Sequence, residues 1–342
     1  MAKVALDIVP LDPTNPDHIE NWLNLLDLVE EHDFSKLPPT SHTAMLAELV
    51  QSEKHSRTKR WLGFVDGELL AWAKVELPDT DNTHIFEFEL EVHPQHRRNG
   101  IGSQFVEFLE SIAREEGRTS LQAWVALPYG DTEIPDTAAP FGAKFGYTNA
   151  SPQDLRRVEL QSVDEDEIER LKQEAEAKAT DYDIVNWVGM IPEKYLEGLA
   201  RMDEFMLTDM PMGDWDLRPA KIDPAQIQRL HLEKLRRGSF ILQTIAVHRS
   251  SGAVVAATKI SVPAGSEEWA HQGSTIVDPE HRGHRLGLLV KIANQRLLKS
   301  YRPHMKYVVT GNATVNDSMI TINEAIGYRL YGKEGVLQKK LE

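Results

Sequence analysis

The chain has 342 residues, about twice a common domain length, so two domains are expected. Its 41% hydrophobic and 27% charged residues are those of a globular protein, and no apolar run approaches the ~20 residues of a membrane helix. The absence of cysteine excludes disulfides, thiolate metal sites and an acyl-cysteine intermediate, while 38 Lys+Arg against 53 Asp+Glu, net -15, argues against nucleic acid as a partner.

Taken in order, Met1-Ala2-Lys3 is not followed by a signal-peptide core, so a cytoplasmic location is expected. Val4, Leu6 and Ile8 alternate as in a strand. Ile19, Trp22, Leu23 and Leu26 share one helical face, and a second helix carries Met45, Leu46 and Leu49. Strands over 61–65 and 69–77 are joined by Asp66-Gly67, a strong hairpin signal. Strand 85–92 then ends in Val92-His93-Pro94-Gln95-His96-Arg97-Arg98-Asn99-Gly100-Ile101-Gly102. Phe105, Phe108, Leu109 and Ile112 follow at i, i+3, i+4 and i+7, with Gly117 as the stop. A strand over 121–127, then Ala138, Phe141 and Gly146-Tyr147, close the first half.

Residues 162–180 are charged, start on the capping box Ser162-x-x-Glu165 and contain a Glu174/Lys178 pair, which predicts a solvated linker helix between domains 1–161 and 181–342. The second half repeats the order. A strand over 183–188, helices over 192–206 and 224–236, and paired strands over 240–247 and 254–262 lead to a short strand over 275–277. Val277-Asp278-Pro279-Glu280-His281-Arg282-Gly283-His284-Arg285-Leu286-Gly287 then echoes the first loop. A helix with Leu286, Leu289, Val290, Ala293 and Leu297 on one side, a strand over 305–310 and Gly327-Tyr328 complete the repeat.

A strand that turns directly into a helix leaves the first helical N–H groups without partners at the positive end of the macrodipole, so phosphate oxygens bind there. A tight turn with solvated arginines is the plainer reading of either loop alone. The spacing Arg97-x-x-Gly100-x-Gly102 matches neither the dinucleotide fingerprint nor the P-loop. It resembles the pyrophosphate loop of the GNAT superfamily of N-acetyltransferases. Arg282-x-x-Arg285-x-Gly287 is similar, with Arg285 in place of the first glycine, where a left-handed backbone would be disfavoured.

The resemblance implies two α/β (α+β) domains, each a mixed, mostly antiparallel sheet with helices on both faces, in the tandem arrangement of which mycothiol synthase is one example. It implies acetyl-CoA as cosubstrate, without metal, and transfer of an acetyl group directly to a primary amine by a monomer or homodimer. In the first half the cofactor would lie along Leu90 and Val92 and across Arg97, Arg98, Asn99, Gly100, Ile101, Gly102 and Ser103. In the second half it would use Ile276, Val277, Arg282, Gly283, His284, Arg285, Leu286 and Gly287, with Asn316 as the family's asparagine at the start of the closing helix.

The family often places a base eleven positions before the first motif residue. Counting back reaches His271 from Arg282 and Phe86 from Arg97, and beside Phe86 the glutamates Glu87, Glu89 and Glu91 share one strand face. His271 and Glu87, with Glu89 as the alternative on the same face, are therefore the candidate bases, though a surface or packed histidine and a solvated strand face explain them too. The family's thiolate-protonating tyrosine lies four residues before the closing Gly-Phe/Tyr turn, where this chain has Asn323 and Gly142. A non-catalytic acyl-CoA sensor and a tRNA-dependent aminoacyl transferase are the rival readings.

Overall fold

The computed structural model describes residues 4–51, 55–130, 134–209, 213–219 and 221–341; Met1-Ala2-Lys3, on which the reading of the amino terminus rested, lies outside the described residues. Two compact units are present, and neither is a continuous half of the chain. Unit 1 comprises Met1–Gln153, Met212–Leu217 and Gly332–Glu342; unit 2 comprises Asp154–Pro211 and Arg218–Tyr331. The expected division into 1–161, 162–180 and 181–342 assumed uninterrupted halves, whereas each compact unit includes chain from the other half.

Unit 1 begins with β1 (Asp7–Pro10), α1 (Pro16–Asp33) and α2 (His42–Val50). Asn15 caps α1 by accepting the Asp17 and His18 amides, and Trp22, Leu25, Leu26 and Val29 recur at helical spacing on its buried side. β2 (Ser56–Val65) and β3 (Glu68–Pro78) form the hairpin, whose turn holds Asp66 and Gly67 at φ 51 and 85, the left-handed pair that matches strand twist. β4 (Ile85–Val92), α3 (Ile101–Glu115), β5 (Ser120–Leu127), α4 (Ala138–Lys144) and the start of β6 (Thr148–Glu159) follow. The sheet order is β1-β2-β3-β4-β5-β12, closed by the last strand of the chain, β12 (Arg329–Lys340). All its pairings are antiparallel except β4 with β5. α3 buries Phe105, Val106 and Leu109 on one face of this sheet, and α1 sets Trp22 edge-on to Trp72 at 5.6 Å on the other.

Unit 2 contains α5 (Glu165–Glu176), β7 (Tyr182–Val188), α6 (Leu196–Asp209), α7 (Pro224–Arg236), β8 (Phe240–His248), β9 (Val254–Val262) and β10 (Trp269–Val277). α8 (Leu286–Tyr301), β11 (Tyr307–Ala313) and α9 (Asp317–Ala325) complete it. Its sheet runs β6-β11-β10-β9-β8-β7, with α8 on one face and Leu199 and Met202 of α6 in the core of the other. The expected linker helix is part of this unit. Ile168, Leu171 and Ala175 of α5 are buried with α8, and Glu165 and Glu169 pair with Lys299 and Arg296, so its charges do more than face solvent.

Two strands were missed in the sequence. β6 and β12 carry Gln153, Asp154, Arg156, Lys333 and Gln338 among their apolar residues, which hides the alternation of a buried strand. The expected short strand at 275–277 extends back to Trp269, because a bulge between Gln272 and Thr275 interrupts the period of two.

Candidate active site

In unit 1, β4 and β5 pair in parallel only from Ile85↔Ser120 to Glu87↔Gln122. Past that point β4 continues on β3 alone, to Ala71↔Val92, and β5 continues on β12, to Lys333↔Leu127. The two strands therefore part, and the backbone on either side of the fork loses its ladder partner. A cleft of about 660 Å³ opens there, walled by Phe88 to Val92, by Ala123 to Ala126 and by the start of α3.

The loop that ends the cleft is shaped by two left-handed residues, Arg98 at φ 66 and Gly100 at φ 85. Gly100 then caps α3, whose first amides open onto the cleft. A Cβ on Gly100 would meet nothing within 4 Å, so the space above the turn is clear. Gly102 is small for a different reason. Its Cβ would stand 3.2 Å from the Phe141 ring, so this glycine lets α3 pack on α4. Arg97 is turned inward: its guanidinium donates to the Val92 carbonyl at 3.1 Å and to Asp33 of α1 at 3.1 Å. It fixes the loop to α1.

Lys144 supplies a cation the sequence reading missed. Its amine donates to Ser103 Oγ at 3.1 Å, in the first turn of α3, and lies over the Phe145 ring. The signal was available, since Lys144 stands two residues before Gly146 in the turn that packs against the loop. Of the expected cofactor residues here, Leu90, Val92, Arg97, Arg98, Gly100, Ile101, Gly102 and Ser103 line the cleft. Asn99 is outside that lining and donates to the His96 carbonyl at 3.2 Å, holding the turn.

Unit 2 repeats the backbone with its glycine moved. Gly283 at φ 85 and Arg285 at φ 56 are the left-handed pair, so Arg285 adopts the conformation its side chain was expected to forbid. Such a conformation costs roughly 1–2 kcal/mol for a non-glycine residue. The Arg285 guanidinium donates to Glu174 at 3.1 Å, His284 Nδ1 lies 3.2 Å from the Lys178 carbonyl, and Arg282 donates to the Val277 carbonyl at 3.4 Å. Gly287 again permits close packing, here on Ile322 at 3.3 Å and Val277 at 3.4 Å. Leu286 is buried at the start of α8, and Ile276 is buried at the end of β10. Where Val106 lines the first cleft, four residues after Gly102, the matching position after Gly287 is Lys291, 5.1 Å from the centre of the Tyr328 ring and pushed down to about 7 by burial.

The segment 22–133 matches the model of the acetyltransferase (GNAT) family. A tandem GNAT protein from the clavulanic acid biosynthesis pathway is similar over 98% of both chains, with TM-score 0.81 and 26% identity. This chain is a tandem GNAT-fold protein. A GCN5-related N-acetyltransferase from Sphaerobacter thermophilus shares the fold, with TM-score 0.67, 14% identity and coverage of 98% and 95%. So does the glucosamine N-acetyltransferase region of a fungal multi-domain β-N-acetylglucosaminidase, with TM-score 0.68, 15% identity and coverage of 99% of this chain and 38% of that one. No curated protein matches.

In this GNAT-fold chain both candidate bases stand at a fork. His271, paired with Val309, is the last parallel-paired residue of β10, as Glu87 is of β4. The one-residue difference in spacing comes from the bulge: Gln272 to Thr275 spans three positions against two from Ile260 to Thr258, and β4 has no such irregularity against β3. Counting eleven from Arg97 therefore overshoots by one and lands on Phe86, a core residue.

Glu87 is half-buried, with Glu76 of β3 and Gln122 of β5 as its sheet neighbours. Burial pushes its carboxyl up to about 7, and Glu76 and Glu89 push the same way against Lys74. Burial alone would lower Lys74, but Glu89, Glu76 and Glu48 around it leave its pKa raised. Glu91 is also pushed to about 7 by burial, although it accepts from Trp72 Nε1 at 2.8 Å. The face of β4 opposite α3 thus carries carboxyl groups that titrate near neutrality.

His271 has its pKa lowered by desolvation. Asn316 acts as the helix cap, accepting the Met319 amide at 3.2 Å. Asn323 is fully buried and donates to Asn312 at 2.7 Å, which makes it a brace between α9 and β11. Among the described residues no group of three or more His, Cys, Asp or Glu side chains is arranged to hold a metal ion, and no helix is long and apolar enough to cross a membrane.

Proposed function

We propose that unit 1 is an acetyl-CoA-dependent N-acetyltransferase site acting on a primary amine, with Glu87 as the base. The observation that carries this reading is the fork itself. Glu87 stands at the point where β4 and β5 separate, next to Phe88 where the cleft lining begins, and the cleft leads from there to a clear helix start.

Acetyl-CoA fits the donor set of this cleft. The first amides of α3, the Lys144 amine and the neighbouring Arg98 would hold its diphosphate, and the unladdered edges of β4 and β5 would hold its pantetheine amides. Bound there, it supplies the acyl group as a thioester. Glu87, with a pKa near 7, takes a proton from an arriving ammonium, which leaves the amine nucleophilic. The surrounding glutamates favour a cationic acceptor. Arg97 acts indirectly, by holding the loop on Asp33.

The second reading, a tandem acyl-CoA sensor, is favoured by the two positions where the family has its tyrosine, Gly142 and Asn323. Release of free thiol from acetyl-CoA with a panel of amines separates the two. Turnover that Glu87→Gln abolishes supports the enzyme. Thermal stabilisation by CoA without thiol release from any amine leaves the sensor, and no stabilisation at millimolar CoA removes both. Weak binding of tRNA, as the -15 charge requires, would set aside the aminoacyl-transferase reading.

A further inference from the structure

Beside the unit 1 cleft, the sheet face that carries Glu87 is covered by residues that lie far along the chain. Residues 213–217 form a strap on the sheet face that carries Glu87. Two buried glutamines clamp it: Gln338 accepts the Asp216 amide at 2.7 Å and donates to the Asp214 carbonyl at 3.1 Å, and Gln122 accepts Trp215 Nε1 at 2.8 Å. The strap thereby holds the Trp215 ring 5.3 Å from that of Trp124, at 90°. Trp124 lines the cleft and remains 36% exposed, which is unusual for a tryptophan on a covered sheet. An aromatic corner at a cleft wall is a surface for a cation or a flat group.

A second carboxyl follows on the same face. Directly paired antiparallel residues point the same way, so Gln122, Trp124 and Ala126 share a face with Gln338, Val336 and Glu334. Glu87 joins that face through its parallel partner Gln122. Glu334 is half-buried and has no hydrogen bond or ion pair among the described residues. Burial pushes its carboxyl up to about 7, so a cation arriving beside it would ionise it. From strand spacing and rise, Glu87 and Glu334 lie on the order of 15 Å apart at their Cα atoms, with the tryptophan corner between them.

We propose that the acceptor of unit 1 carries a second cationic centre several bonds from its reactive amine, held by Glu334 and the Trp124–Trp215 corner. Glu334 and Trp215 are in this sense specificity residues, and the idea rests on acyl transfer taking place at Glu87. A linear diamine such as 1,8-diaminooctane presents both centres; n-octylamine has the same chain without the second ammonium.

Two measurements on the full chain test it. In the first, thiol release gives kcat/KM for each amine, and the preference for the diamine over the monoamine is expected to fall about tenfold in Glu334→Gln and in Trp215→Leu. An unchanged preference in both variants, each shown to fold by its melting curve, overturns the proposal. In the second, calorimetric titration of the diamine into protein with CoA present reads binding without turnover. Saturation below 1 mM, as an order of magnitude for a paired cation, that Glu334→Gln weakens supports the acceptor site even if no amine is acetylated. No saturation overturns it, even if another amine proves to be a substrate.

Discussion

Replacing Glu87 by glutamine is expected to stabilise unit 1 while it disables the reaction, and the two effects share one cause. Burial raises the Glu87 carboxyl from 4.5 to about 7, so the folded chain holds this proton more tightly than the unfolded chain does. The stabilisation from that proton is complete below pH 4.5 and is lost as the pH rises through 7. Above pH 8 the ionised carboxylate therefore costs the fold about 3 kcal/mol, at 1.36 kcal/mol per pH unit. The uncharged amide avoids this cost. For a unit of this size roughly 2–4 °C accompanies each kcal/mol, so the variant should melt ~6–12 °C higher than the parent at pH 8.5 and within a degree or two of it at pH 4.5. In the thiol-release assay the parent's kcat/KM should rise tenfold per pH unit up to about 7 and level off. The variant should lose that limb together with roughly 10²–10⁴ of the rate. A variant that melts lower than the parent at pH 8.5, or keeps the acid limb, would refute the assignment.

Three further outcomes follow from the same geometry. Lys144→Glu places a negative charge beside Ser103 at the start of α3, and it should raise the concentration of CoA needed for half-maximal thermal stabilisation by about tenfold or more, with the melting point without CoA unchanged within about 2 °C. Arg97→Met leaves Asp33, which is 7% exposed, without its guanidinium; a loss of about 3 kcal/mol is expected in denaturant titrations without any ligand, and an effect seen only with CoA present would mean that Arg97 binds phosphate instead. His271→Gln should change kcat by less than about twofold, because the reaction is assigned to unit 1, whereas a loss comparable with that of Glu87→Gln would move the chemistry to unit 2.

Much of this was legible without coordinates of any kind, because it is written in short windows. The two loops announced the repeat, and the αL pair that each adopts, Arg98 with Gly100 and Gly283 with Arg285, shows that a loop shape survives the relocation of its glycine. The proposed base, Glu87, was named from its alternation with Phe86 and Phe88, although spacing alone pointed one residue away. A bulge adds a residue to β10 and none to β4, and one residue in a strand exchanges the two faces. Arg97 read as a phosphate ligand because no local pattern shows Asp33, 64 residues earlier, beside it.

The sequence by itself determined most of the helices and strands and their order, though not β6 and β12, together with the two strand-to-helix loops and the polar face of β4, since each depends on residues within about two turns or a strand's length. Only tertiary structure decided which chain completes which unit. Residues 332–342 supply the strand that pairs with β5 along its whole length, past the point where β4 leaves it, and Trp215 covers the face that Glu87 shares with Trp124. Strand partners so far apart in the chain are selected by the burial and hydrogen bonding of the whole sheet, to which no single window gives access.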